Sequence, residues 1–238
     1  NANFTNVTFV VTDGWMKINP LGTVVVTITG HTDTKTYDGA EHTVTGYDVA
    51  INNPLYTEAD FTFSGLARAA RTKVGKTYMD LVGTADANDE HRCQFTNTNE
   101  NFSDVNFVVT DGWISINPIT ELITLTADNN SKVYDGTALT DNGYTAAFPA
   151  SQVSGTWNSN GYYDLSTGDK LYATVEGTIT NVGSVGNNIT SYQVLDGNNT
   201  NVTSYYSFGT AVNGTLTVTP KAVTVTAASE AFKYDGAA

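Results

Sequence analysis

The chain has one cysteine, five prolines and few positive charges, and each shortage excludes something. Cys93 stands alone among 238 residues, so no internal disulfide and no cysteine metal cluster can form. Eleven basic residues face 24 acidic ones, giving a net charge of −13. Nucleic acid and anionic lipid both select a basic face, so neither is an expected partner, and no membrane contact is expected. No apolar run reaches membrane-spanning length. Leu, Lys and Glu are scarce, whereas Thr, Asn, Gly, Asp and Val abound, which is the composition of short strands and turns. Chemistry-bearing patterns are missing too. No Gly-x-Ser-x-Gly occurs, and His31 and His42 have no partner at metal-ligand spacing. No catalytic set and no cofactor are expected, and an enzyme is the least favoured reading.

What the chain does have is repetition. Asn3-Phe4-Thr5-Asn6-Val7-Thr8-Phe9-Val10-Val11-Thr12-Asp13-Gly14-Trp15-Met16-Lys17-Ile18-Asn19-Pro20 returns as the segment from Asn101 to Pro118, 98 residues later. A weaker third copy, Asn213-Gly214-Thr215-Leu216-Thr217-Val218-Thr219-Pro220, ends 102 residues further on. A second marker keeps the same phase: Lys35-Thr36-Tyr37-Asp38-Gly39, Lys132-Val133-Tyr134-Asp135-Gly136 and Lys233-Tyr234-Asp235-Gly236. A period of about 100 residues is domain-sized, so the expected organisation is a string of modules. Residues 1–20 read as the closing hairpin of one repeat. Residues 21–118 and 119–220 read as two complete repeats, and 221–238 as the opening strand of another. Pro20, Pro118 and Pro220 mark the joints.

Each copy of the closing motif predicts a two-residue hairpin, with Asp111-Gly112 as its type I′ turn. Pairing Thr110 with Trp113 puts Phe107, Val109, Ile114 and Ile116 on one inward face and Val108, Trp113, Ser115 and Asn117 on the other. Copy one gives the same register, with Phe9, Val11, Met16 and Ile18 inward. In the third copy Leu216 and Val218 point in. After each proline comes an alternating run (23–28, 122–127 and 222–227) that reads as a module's first strand. Val74-Gly75 and Val182-Gly183 each precede a later strand.

These residues resemble the MBG and YDG repeat modules of large bacterial surface adhesins. The resemblance rests on Lys-x-Tyr-Asp-Gly at 35–39 and 132–136 and on the closings Ile116-Asn117-Pro118 and Val218-Thr219-Pro220. It rests further on Phe95-Thr96-Asn97-Thr98-Asn99-Glu100-Asn101-Phe102 and on Gly177-Thr178-Ile179-Thr180-Asn181-Val182-Gly183 with Asn187-Asn188-Ile189. It implies an all-β fold of tandem elongated Ig-like β-sandwich modules, with a β-grasp-like arrangement as the alternative. It also implies an extracellular place on a bacterial cell surface and the role of a stalk spacing an adhesive tip from the cell. Strands of about ten residues span roughly 33 Å, so two modules end to end would reach about 70–80 Å. The family brings no catalytic residues. The implied partners are neighbouring repeats of the same polypeptide, or head-to-tail neighbouring chains.

Several residues compete as sites. Tyr37-Asp38-Gly39, Tyr134-Asp135-Gly136 and Tyr234-Asp235-Gly236 read as structural motifs. Asp-Gly supplies a positive-φ turn, and the tyrosine packs at the module edge with its hydroxyl in water. Trp157, Tyr162 and Tyr163, interleaved with amides, are the candidate carbohydrate site and carry the alternative function, a glycan-binding adhesin module. Host or cell-surface glycans would then be the partner. Asp86, Asn88, Asp89 and Glu90 offer oxygen ligands of the kind calcium takes, but without EF-hand spacing, so a polar loop is the plainer reading. Arg68, Arg71, Lys73 and Lys76 form the one basic cluster, suited to an acidic partner or to a solvated strand. Trp15 and Trp113 fall on the outward face, where they would cover a neighbouring strand.

Overall fold

The computed structural model describes residues 3–18, 22–82, 94–149 and 151–236. Its regular structure is all-β. Two single-turn 3₁₀ stretches, Glu58–Asp60 and Thr203–Tyr205, interrupt the strands, and no α-helix occurs among the described residues. Several small sheets accompany one curled six-stranded sheet. The chain divides into two compact units. The first comprises Asn1–Thr34, His42–Arg71 and Lys76–Ser115. The second comprises Lys35–Glu41, Thr72–Gly75 and Ile116–Ala238.

Strands β1 (Val24–Gly30), β2 (Thr32–Thr36), β3 (His42–Thr45), β4 (Tyr47–Ile51) and β5 (Phe61–Ser64) come first. They are followed by β6 (Arg68–Arg71), β7 (Gly75–Tyr78), β8 (Gln94–Asn97), β9 (Val105–Thr110) and β10 (Trp113–Asn117). They form the sheets β4-β1-β9 and β2-β10-β7 and the ribbons β3-β6 and β5-β8. Alternation along β1 sends Val24, Val26 and Ile28 inward, where all three are fully buried. They cluster with Tyr56, Phe61 and Phe102, and with Phe95, Phe107 and Val109 partly buried against them. The rings interlock edge to face, Phe61 on Phe107 at 5.4 Å and Tyr56 on Phe102 at 5.1 Å between centroids. Burying each such side chain contributes about 1.5–3 kcal/mol.

The second unit holds β11 (Leu122–Ala127), β12 (Asn130–Val133), β13 (Tyr144–Ala147), β14 (Gly155–Asn158) and β15 (Tyr162–Leu165). After them come β16 (Lys170–Glu176), β17 (Gly183–Leu195), β18 (Ser207–Phe208) and β19 (Gly214–Thr219). One sheet runs β13-β11-β18, and the curled sheet runs β12-β19-β17-β16-β15-β14. A bulge between Thr174 and Val175 shifts the β16–β17 register and adds local twist. Leu216 and Val218 of β19 are buried with Leu139, and Ile179 packs on them. Both Val-Gly steps open strands, β7 at Gly75 (φ +131°) and β17 at Gly183 (φ +148°).

The expected hairpin at Asp111-Gly112 does not form. β9 and β10 lie in different sheets. β9 runs parallel to β1, from Val24 opposite Val105 to Thr29 opposite Thr110. At Gly30-His31 and Asp111-Gly112 both chains turn a corner together. They continue as β2 and β10, with the Trp113 N–H donating to the His31 carbonyl at 3.1 Å. The corner recurs in the second unit. β11 is parallel to β18, β12 is parallel to β19, and the bend falls at Asp128-Asn129 beside Asn213-Gly214. An Asp-Gly pair between two β-rich runs fits a hairpin turn by itself. Here a parallel first strand offers each half a better ladder, and tertiary pairing overrides the local preference. The inward face survives the change, with Ile114 and Ile116 buried in β10 and Leu216 and Val218 in β19.

Residues 3–18 and 221–236 contain no strand, so neither the expected closing hairpin at 1–20 nor the opening strand at 222–227 forms among the described residues. Phe9, Val11, Met16, Ile18, Val223 and Val225 are all exposed, Phe9 and Ile18 at 84% each. In the copy at 105–117 the same residues are held by β1 and β2. A strand without such a partner has nothing to pair its backbone with.

Candidate functional site

The site with the most specific geometry centres on Asp169, in the second unit. Asp169 opens with the β15–β16 turn, Leu165 to Lys170, where the Leu165 N–H donates to its carbonyl. Its side chain is buried, and two phenols donate to the same carboxylate oxygen Oδ2, Tyr206 at 2.6 Å and Tyr37 at 2.9 Å. Thr167 Oγ1 lies against the Tyr206 hydroxyl and completes the chain of hydroxyls. The Tyr37 ring is only 5% exposed and meets Tyr205 and Tyr206 edge-on, with centroids 5.0 and 6.0 Å away. Burial, and next the Asp169 carboxylate, push the Tyr37 and Tyr206 phenols far above their usual range. Both therefore remain neutral donors, as a buried carboxylate needs.

The backbone that delivers Tyr37 is an Asx turn. Asp38 Oδ1 accepts the Ala40 N–H at 2.9 Å, and Gly39 sits at φ +81°. A Cβ on Gly39 would fall 2.0 Å from the Thr167 carbonyl oxygen. Glycine is thus required twice, for its dihedral and for the close approach. The Tyr37 N–H donates to the Asn117 carbonyl at 2.9 Å. A short distance off, Lys73 pairs with Asp196 at 2.9 Å. That ion pair and the Thr200 N–H hold the Asp196 carboxyl down to about 2. Two stretches from early in the chain, 35–41 and 72–75, are in this way fastened to one body of 116–219.

The expectation for Tyr-Asp-Gly holds for the turn and fails for the tyrosine at 37. All three glycines adopt the same positive φ, +81° at Gly39 and +82° at Gly136 and Gly236. The Tyr37 hydroxyl, however, is not in water, because Asp169 takes it. Tyr134 is 39% exposed and Tyr234 is exposed, and neither has an aromatic neighbour among the ring pairs described. Sequence reasoning missed Thr167, Asp169, Tyr205 and Tyr206. Asp169 stands 132 positions from Tyr37 in a turn with no pattern to single it out. The Tyr205-Tyr206 doublet is the one local signal that could have been weighed.

The three aromatics expected to form a sugar site do not share a face. Trp157 pairs across the strands with Tyr163, with ring centroids 5.1 Å apart. Both pack on Tyr144, and the Tyr163 hydroxyl accepts the Ala146 N–H at 3.1 Å. Tyr162 belongs to the opposite face, beside Tyr172 at 5.1 Å, with the Lys170 ammonium over its ring. Next to that pair lies a groove of about 260 Å³ lined by Tyr172, Thr174, Ser191, Tyr192, Gln193 and Asn201.

Asp86, Asn88, Asp89 and Glu90, with Cys93, lie outside the described residues. The basic cluster is spread over separate jobs. Lys73 joins Asp196, Lys76 lies 3.7 Å from the Trp113 ring centroid, and Arg71 donates to the Lys76 carbonyl and Thr77. Trp113 is accordingly half-buried under Lys76, while Trp15 is exposed. Comparison with family models, curated proteins and solved structures finds no match to this chain.

Proposed function

We propose that this chain is a structural stalk segment of an extracellular bacterial surface adhesin, built from tandem β-sandwich repeats of Ig-like type meeting at Pro118 and Pro220. The observation that carries the reading is the recurrence of one device. The recurrence of the closing motif at 101–118 and 213–220 coincides with a first strand and a last strand that run parallel and turn a corner together, at Gly30/Gly112 and again at Asp128/Gly214. Repeats of one architecture in series supply length and stiffness, which is what a spacer needs. The exposed strands-in-waiting at 3–18 and 221–236 would find partners in neighbouring repeats or neighbouring chains. The test is replacement of this segment, in a surface-displayed parent, by a Gly/Ser linker of equal contour length. Adhesion under flow should fall while static binding of the tip persists. Unchanged adhesion under flow would remove the stalk reading.

A second reading, glycan binding, is favoured by one feature. The Tyr162–Tyr172 pair borders a groove offering Ser191 and Thr174 hydroxyls and Gln193 and Asn201 amides, the mixture of ring faces and amides that grips neutral sugars. A glycan array probed with the wild-type chain and with Tyr172→Ala tests it. A signal lost in the variant would support this reading over the stalk.

A further inference from the structure

The Tyr-Asp-Gly turn occurs once seated, at Tyr37, and twice bare, at Tyr134 and Tyr234. At 35–41 it is a plug: Tyr37 enters a socket made by Asp169, Tyr205 and Tyr206, and Gly39 lies flat on the Thr167 carbonyl. At 132–138 the same plug is fully shaped. Gly136 has φ +82°, Asp135 Oδ1 accepts the Thr137 N–H at 2.9 Å, and the Tyr134 N–H donates to the Thr219 carbonyl as Tyr37 does to Asn117. Lys132 clamps the turn, its ammonium reaching Asp135 Oδ1 at 2.8 Å and the Thr137 carbonyl and hydroxyl at 2.7 Å each. Yet Tyr134 stands out at 39% exposure, and nothing lies within 4 Å of the space a Cβ would take on Gly136.

We infer that Tyr134-Asp135-Gly136 is a docking plug for another repeat of the 116–219 type. Its socket would be a buried carboxylate flanked by two tyrosines, with a bare main-chain carbonyl beside it. The inference rests on reading the chain as repeats in series. The seated copy defines the partner's chemistry. The phenol donates to a buried carboxylate, which is costly to leave unpaired, so the contact selects tyrosine over phenylalanine. The glycine admits a carbonyl that any side chain would repel. The turn is rigid before docking, so little ordering entropy is lost on association. Residues 103–104 of the first repeat, Ser103-Asp104, stand where the second has Tyr205-Tyr206, counting back from Pro118 and Pro220. A repeat of the first kind therefore lacks the socket's aromatic wall, and the plug distinguishes the two kinds.

In the wild-type chain the resident Tyr37 fills the one described socket. Tyr37→Ala vacates it and leaves Tyr134 free, so the variant should associate head to tail with itself. Sedimentation velocity at protein concentrations up to about 1 mM, where millimolar Kd values become visible, reads this out. Wild type sets the baseline, Y37A shifts from it to larger species, and Y37A/Y134A returns to the wild-type distribution. Should Y37A fail to fold by circular dichroism, G39A opens the socket by collision with Thr167 instead of truncation. A folded, socket-open chain that keeps the wild-type distribution, or one whose association ignores Tyr134, overturns the inference. Either outcome leaves the stalk reading to its own flow assay.

Discussion

Gly30 and Gly112 face each other backbone to backbone, so closely that a Cβ on Gly30 would fall 2.2 Å from the Gly112 amide nitrogen. This contact lets two parallel chains leave one sheet for another side by side. A Cβ on Gly112 would likewise lie 2.5 Å from the His31 carbonyl oxygen. Gly30→Ala and Gly112→Ala should each destabilise the first unit by about 1–3 kcal/mol, because the obstacle is backbone and cannot swing aside. Gly14→Ala, at the matching place in the first copy where nothing lies within 4 Å, should change the denaturation midpoint very little. Equal effects at Gly14 and Gly112 in urea melts would contradict the corner.

Removing the Tyr37 hydroxyl isolates its bond to Asp169. Tyr37→Phe keeps the ring against Tyr205 and withdraws one of two phenol donors from a buried carboxylate. A loss of about 1.5–3 kcal/mol is expected, as for a hydrogen bond to a charged group. Tyr134→Phe should fall within about 0.5 kcal/mol of wild type, since that tyrosine has no comparable partner. Chemical denaturation of the two variants in parallel gives the comparison.

Alkaline pH should attack the same socket. Tyr37 and Tyr206 have raised pKa values, and Tyr144, buried beside Tyr163, is pushed up to about 12. For a group raised in the folded state, the stabilisation is fully present below its unfolded pKa of about 10 and is lost as pH rises beyond it. Thermal stability should therefore fall steadily above about pH 10. Tyrosinate absorbance should then show a late fraction, among the 13 tyrosines, that ionises only as the fold opens. A single early titration of all tyrosines with the fold intact would contradict the buried geometry.

His31 should act with the same sign in a lower pH window, its stabilisation also being lost as pH rises. Its Nδ1 faces the Thr45 carbonyl at 2.8 Å and its Nε2 faces Asp48 at 3.2 Å. Two acceptors suit an imidazolium, which has two N–H donors. The Asp48 hydrogen bond first, and then the Thr45 carbonyl, raise its pKa above 6.5. The stabilisation is complete below 6.5 and disappears as pH rises through the raised folded value. His31→Ala should abolish that part of the pH dependence, and an NMR titration of the His31 ring should place its midpoint above 6.5.

The amino-acid sequence by itself determined the β character, the period and the inward face. Alternation along 24–28, 105–109 and 214–218 decides which side chains can be buried, whichever strand lies alongside. That is why Ile114, Ile116, Leu216 and Val218 are found inside although the hairpin expected to hold them is not there. Lys-x-Tyr-Asp-Gly likewise fixed its local turn, because positive φ is a property of glycine and the Asx turn closes within three residues. Only the tertiary structure decided what that turn is for. Whether Asp111-Gly112 folds back or turns a corner depends on the competing ladder from β1, some 80 residues away in sequence. Whether a Tyr-Asp-Gly tyrosine is wet or buried depends on a carboxylate 132 positions distant. Trp157, Tyr162 and Tyr163 looked like one cluster because neighbours in a sequence are close, but successive residues of a strand point to opposite faces. Local propensity acts over a few residues, whereas pairing partners and burial are set by the whole fold, and this chain's specific contacts belong to the second kind.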